Sequence, residues 1–191
     1  YYTVDQKVMP DERRSALQNR LTGDFYYLDE VRDLYREMYP DADLEEVNPY
    51  NLKAMGFSVF SNYVLQHYAS LEEYFTALLT REDVMDLSAI HSRFVGVQQF
   101  YQTLQELKRD LSVVELEPNR IIQLRKLERS GITREMLRSF CRKVYSFTED
   151  GAYFTIQSLR EEGFSSKLEE YGFSDWFYAN LLLSDSRFSY S

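Results

Sequence analysis

Residues 153–190 read YFTIQSLREEGFSSKLEEYGFSDWFYANLLLSDSRFSY. Two earlier stretches echo them: FYYLDEVRDLY at 25–35 and LKAMGFSVFSNYVLQHY at 52–68. Gly23-Asp24-Phe25-Tyr26-Tyr27-Leu28 lines up with Gly151-Ala152-Tyr153-Phe154-Thr155-Ile156. Leu52-x-x-Met55-Gly56-Phe57-Ser58 then lines up with Leu168-x-x-Tyr171-Gly172-Phe173-Ser174. Phe60 falls opposite Trp176 and Leu65 opposite Leu181. The first copy is longer by a polar insertion around PDADLEEVNPYN. An aromatic pair after Gly, followed by Gly-Phe-Ser, in the same order twice, is the signature of repeated modules.

Local patterns give each copy its elements. In the second, Thr133 is placed to cap a helix. Met136, Leu137, Phe140, Cys141, Val144 and Phe147 come after it at steps of three and four, which is one helical face. Residues 153–155 read as a short strand, 156–162 as a helix stopped by Gly163, and Ser174 as the cap of a third helix. Residues 187–190 read as strand again. In the first copy the expected elements are a helix over 10–21, a strand over 25–27, a helix over 28–39 and a third helix over 58–68. Residues 71–79 and 84–87, around a Thr-Arg-Glu-Asp turn, would then form a wing hairpin. Between the copies lie a helix-like run at 94–107 and β-branched residues flanking Glu117-Pro118-Asn119, which predict a hairpin. Phe60 and Trp176 are expected in equivalent core positions.

The order helix, strand, helix, helix, strand is that of a winged helix-turn-helix. The Tyr-Phe-Thr, Ser-Leu-Arg, Gly-Phe and Gly-Phe-Ser-Asp-Trp-Phe-Tyr motifs of 153–178 resemble the winged helix-turn-helix modules of bacterial sigma-factor-like and other transcription-associated proteins. The resemblance covers 133–191 well and 10–90 loosely. It rests on core and turn residues, so it speaks for fold. The expected fold is mainly α with short β-hairpins (an α+β class), arranged as tandem winged-helix-like modules. The expected domains are 1–90 with an acidic insertion, a connecting helix and hairpin at 91–130 that is itself a degenerate middle module or a linker, and 131–191 with a truncated wing. The resemblance implies a non-catalytic, DNA- or transcription-associated regulatory role in bacteria.

Composition narrows the function classes. The chain has 191 residues, 44% hydrophobic and 16% aromatic, with few Gly and Pro, as a folded core requires. A single cysteine, Cys141, excludes an internal disulfide and any zinc site built on several cysteines. His67 and His91 have no ligand-like spacing. Phosphate-loop, dinucleotide, HExxH and GxSxG motifs are missing, and adjacent acids such as Glu161-Glu162 diverge by about 100° on a helix, which suits no paired-carboxylate chemistry. The expectation is no enzyme, no cofactor and no metal. No apolar run of membrane-spanning length or leader-like segment occurs, which predicts a cytoplasmic protein without membrane contact. The start at Tyr1 suggests a piece of a larger protein.

Charge is unevenly laid out. Overall the chain carries 22 Lys and Arg against 31 Asp and Glu. Yet between 118 and 147 basic residues dominate: Arg120, Arg125, Lys126, Arg129, Arg134, Arg138, Arg142 and Lys143 against Glu128 and Glu135. Arg134, Arg138 and Arg142 recur every fourth residue, a stripe roughly 140° from the apolar face of their helix. Such a stripe can lie on phosphates. Residues 24–48 are the counterpart, with nine acids against Arg32 and Arg36. Base reading calls for exposed Arg, Lys, Asn or Gln. The expected third helices supply little of this: Asn180 in the second copy, and Asn62 with Gln66, four apart, in the first. Duplex DNA held through the backbone is therefore the leading expectation. The candidate contacts are Arg125, Lys126, Arg129, Arg134, Arg138, Arg142 and Lys143, with Asn62 and Gln66 at base edges. A protein-interaction module that binds a partner through acidic and aromatic surfaces, with no nucleic acid, stays open beside it. So does homo-oligomerisation.

Overall fold

A computed structural model describes Tyr1 and residues 5–191. The chain is α+β, with helices dominant and two small three-stranded antiparallel sheets. It divides into two compact units, Tyr1–Tyr74 and Phe75–Ser191.

The first unit runs α1 (Asp11–Arg20), β1 (Phe25–Tyr27), α2 (Leu28–Met38), a 3₁₀ turn (Leu44–Glu46), α3 (Pro49–Ala54), β2 (Ser58–Val59) and β3 (Tyr63–Leu65). Pro10 serves as the N-cap of α1, just ahead of the first turn that its ring also suits. β3 is the central strand, between β1 and β2, with Phe25 and Ser58 both paired to Leu65. Leu17, Val31, Tyr35, Leu52 and Val64 close the core. A buried amide ties the N-terminal segment down. The Asn51 Nδ2 donates to the Lys7 and Glu46 carbonyls at 2.8 and 2.7 Å, and its Oδ1 accepts from the Met9 N–H at 3.0 Å. The Met9 N–H and the Glu46 carbonyl would otherwise lose this partner, while the Lys7 carbonyl also accepts from the Asn48 Nδ2 at 2.7 Å.

The second unit begins inside α4 (Leu71–Leu79) and continues β4 (Val84–Asp86), α5 (Ser88–Arg93), α6 (Gln98–Arg109), β5 (Val113–Glu117), β6 (Arg120–Gln123), α7 (Leu124–Arg129), α8 (Arg134–Phe147), α9 (Ile156–Glu161), a 3₁₀ turn (Lys167–Tyr171) and α10 (Asp175–Leu183). The hairpin expected around Glu117-Pro118-Asn119 forms, and Asn119 takes the left-handed φ of 60° that asparagine tolerates. β6 lies centrally between β4 and β5. Phe75 meets Phe94 and Phe100 edge to face on the buried side of α6. Leu137, Phe140, Cys141 and Val144 of α8 pack with Phe177, Tyr178 and Leu181 of α10.

The path helix, strand, helix, helix, strand, strand, with the last strand central, thus occurs twice: α1 to β3, and α4 to β6. Its position differs from the sequence expectation. Residues 58–68 are not a helix but the β2–β3 hairpin. Val59, Tyr63 and Val64 favour a strand, and Ser61-Asn62 supplies the turn. Residues 71–79 are not half of a wing but the helix α4, with Leu71, Tyr74, Phe75, Leu78 and Leu79 at helical spacing and two glutamates in its first turn. Val84–Asp86 pairs with β6, inside the second unit. Neither 153–155 nor 187–190 joins a sheet. Thr155 instead caps α9, its hydroxyl accepting from the Ser158 N–H at 3.0 Å.

Candidate nucleic-acid interface

α8 is built as its sequence dictates. The Thr133 hydroxyl accepts from the Met136 N–H at 3.2 Å, and the buried stripe faces the core. Arg134, Arg138 and Arg142 stand exposed on the far side, with Lys143 on the adjoining flank. Phe147, expected on the core face, is 41% exposed, because the core ends one turn earlier at Val144.

The basic residues are unequal in what they can offer a phosphate. Arg125 Nε donates to Asp83 Oδ1 at 2.9 Å, and Arg129 bonds the other oxygen of the same carboxylate. The Arg125 hydrogen bond, then that of Arg129, holds the Asp83 carboxyl below the usual range. Arg142 is paired with Glu135, two turns earlier on the same face of the helix. Arg120 is paired with Glu117 at 2.8 Å. Among the described residues, Lys126, Arg134, Arg138 and Lys143 form no such ion pair, although Asp185, held by Arg187, lies across a cleft from Arg138.

Asn62 and Gln66 do not share a helix face. Asn62 sits in the β2–β3 turn, where its carbonyl accepts from the Leu28 N–H at 2.9 Å. Gln66 lies just past β3, and its Nε2 donates to the Leu21 and Gly23 carbonyls at 2.8 and 2.6 Å. That amide is committed to bracing the turn between α1 and β1. Trp176 and Phe60 are not core residues either: they are 44% and 38% exposed. α10 lies against β5, with the Ser174 hydroxyl donating to the Leu116 carbonyl at 3.3 Å, and buries Phe177 and Tyr178 instead.

A polar surface absent from the sequence expectation lies on α6. Its buried face is Phe100, Thr103, Leu104 and Leu107. Gln98, Gln102, Gln105 and Arg109 are all exposed. Spaced four, three and four apart, they fall within an arc of about 60° directly opposite the core. That spacing is readable in the sequence, but with third helices expected at 58–68 and from Ser174 the run at 94–107 counts only as a connector. The end of this stripe meets the basic helix. Arg109 and Arg138 line one cleft of about 350 Å³, together with Leu111, Cys141 and the segment 184–187. Arg187 in that segment is held by Asp185 at 2.7 Å and lies over the Tyr145 ring, so it adds no unpaired charge. Burial pushes the Cys141 thiol at the cleft wall up to about 12, which leaves it inert as a nucleophile.

Comparison with protein-family models, with curated proteins and with solved structures finds no match to this chain. No group of three or more His, Cys, Asp or Glu among the described residues is arranged to hold a metal ion, and no described helix is long and apolar enough to cross a membrane.

Proposed function

We propose that the chain is a non-catalytic, duplex-DNA-binding regulatory protein built from two winged-helix modules, α1 to β3 and α4 to β6, with the helical segment α7 to α10 after them. The observation that carries this reading is the cleft shared by Arg109 and Arg138. It joins the amide stripe of α6 to the basic stripe of α8 within one unit. The two parts answer different needs. Unpaired guanidinium groups meet phosphate and give affinity without sequence. Glutamine amides meet adenine edges and arginine meets guanine edges, which gives sequence preference. α6 is also the helix that precedes the hairpin, the position from which a winged helix enters a groove.

Selection from a random duplex pool tests the reading. A preferred sequence should emerge, and Gln102→Ala should relax the preference at one position while Arg138→Ala weakens all sequences alike. Failure of the intact chain to retain any duplex at low salt overturns it. A second reading, a protein-interaction module, draws on α10. Trp176, Ala179 and Leu183 form an exposed apolar stripe there, on a helix that is already buried along its other side.

A further inference from the structure

α8 carries a second polar flank, turned away from Arg134. Ser139, Lys143 and Ser146 lie along it, with Arg142 at its edge. Facing it is the segment 163–168, which leaves α9 through Gly163 at φ 96° and enters the 3₁₀ turn Lys167–Tyr171. Two depressions lie between them, of about 490 and 230 Å³. They share Ser139 and Lys143 and so form one groove.

The larger depression combines cations with an aromatic wall. Arg142 and Lys143 line it together with Phe147 and Phe164, whose rings meet edge to face at 5.4 Å. Phe164 is buried, whereas Phe147 keeps 41% of its surface exposed. The smaller depression is apolar at Met136, Phe140 and Leu168, with Lys167 beside them. Ser166 also lines it, yet its hydroxyl is turned out of solvent and has no hydrogen-bond partner. A rotation about χ1 toward a bound acceptor would restore one. Glu135 is the one acid among the lining residues, and Arg142 neutralises it. Lys143 and Lys167 therefore leave the groove positive.

We propose that this groove binds a nucleoside phosphate. Lys143 and the hydroxyls of Ser139 and Ser146 hold the phosphate, and the base stacks on Phe147. A cation, hydroxyl donors and a partly exposed ring in one depression match the two halves of a nucleotide. A peptide carboxylate would satisfy the lysines but leave the Phe147 ring uncovered. The same chemistry is presented by a free nucleotide and by the phosphorylated end of a nucleic-acid strand.

Calorimetric titration of the intact chain with AMP, adenosine, inorganic phosphate and a short single strand with or without a 5′-phosphate tests the site. AMP should bind with a Kd of about 1 mM or tighter, and at least about tenfold better than adenosine or phosphate alone. Lys143→Ala and Phe147→Ala should each weaken it about tenfold, or about 1.4 kcal/mol. Both side chains are exposed, and an unchanged thermal midpoint will show that the variants fold. Arg134→Ala, on the other flank, should leave AMP binding unchanged, which separates this site from the duplex contact. Preference for the 5′-phosphorylated strand over AMP identifies a strand end as the ligand, and the reverse identifies a free nucleotide. AMP binding no tighter than phosphate, indifference to both Lys143→Ala and Phe147→Ala, or displacement of AMP by an acidic peptide at equal concentration overturns the proposal.

Discussion

Replacing Arg138 by alanine tests the junction between the amide stripe and the basic helix. Leaving aside Lys143 on the opposite flank of α8, four cations on or beside this surface form no ion pair among the described residues: Arg109, Lys126, Arg134 and Arg138. If each displaces one counter-ion from duplex DNA, log K falls with log salt at a slope of about −3.6. Between about 50 and 200 mM salt that is a loss of about 150-fold in affinity. Arg138→Ala removes one contact. The slope should flatten to about −2.7, and the same salt step should then cost only about 40-fold. Arg142→Ala is the internal control, because that guanidinium is already held by Glu135 and should shift the slope by much less. Fluorescence anisotropy with a labelled random-sequence duplex measures both at a series of salt concentrations. An Arg138→Ala slope equal to that of the unaltered chain refutes the assignment, and so does a larger change for Arg142→Ala than for Arg138→Ala.

Packing and burial set three further outcomes. Phe177 is fully buried and Trp176 is 44% exposed, so in urea denaturation Phe177→Ala should cost about 3–5 kcal/mol and Trp176→Ala less than about 1 kcal/mol. Asn51→Ala orphans the Met9 N–H and the Glu46 carbonyl and should lower stability by about 2 kcal/mol or more, a loss that Asn51→Asp does not fully restore because a carboxylate cannot donate to the Glu46 carbonyl. Burial, then the hydrogen bond to Glu46, pushes the Tyr35 hydroxyl up to about 12. In the unfolded chain it ionises near pH 10, so above that the unfolded state holds fewer protons and gains. This contribution is whole below about pH 10 and lost as the pH rises through about 12, and Tyr35→Phe should flatten the alkaline fall of the urea midpoint.

Part of this architecture was legible from sequence alone because local and tertiary signals agree there. α8 has a capping threonine, a clean apolar stripe and an opposite basic one, and it folds accordingly. The β5–β6 hairpin has β-branched strands on both sides of a turn sequence. The repeated Gly-Phe-Ser was the misleading signal. Gly56 and Gly172 do play the same part, each ending a short helical turn with positive φ. The residues beyond each glycine decide the next element. Val59, Tyr63 and Val64 send the first copy into a hairpin, whereas Ala179 and the leucines of α10 send the second into a helix. Aligning the two copies past Ser58 and Ser174 therefore equated a strand with a helix. It placed Phe60 and Trp176 in a core that neither enters, and it hid the module that 71–123 forms.

The acidic balance of the chain bears on binding less than its size suggests, because position matters more than total. In the first unit the acids of 24–48 largely meet bases of the same unit: Asp29 with Arg32, Asp33 with Arg36, and Asp43 and Glu45 with Lys7. In the second unit, Asp83 takes up two arginines that the sequence had counted toward a phosphate-binding surface. A charge count along the chain cannot see this, since Asp83 lies more than forty residues from Arg125 and Arg129 and is brought to them by the pairing of β4 with β6. The fold therefore shrinks the basic patch at α7 while leaving Arg134 and Arg138 without an ion pair, Arg138 beside the end of α6. Exposed pairs are individually weak, about 0–1 kcal/mol, so phosphate can still compete for Arg125 and Arg129. It must displace a carboxylate to do so, whereas Arg138 makes no direct carboxylate bond, the nearby Asp185 being held by Arg187. That difference concentrates the expected contact on the cleft where the amide stripe ends.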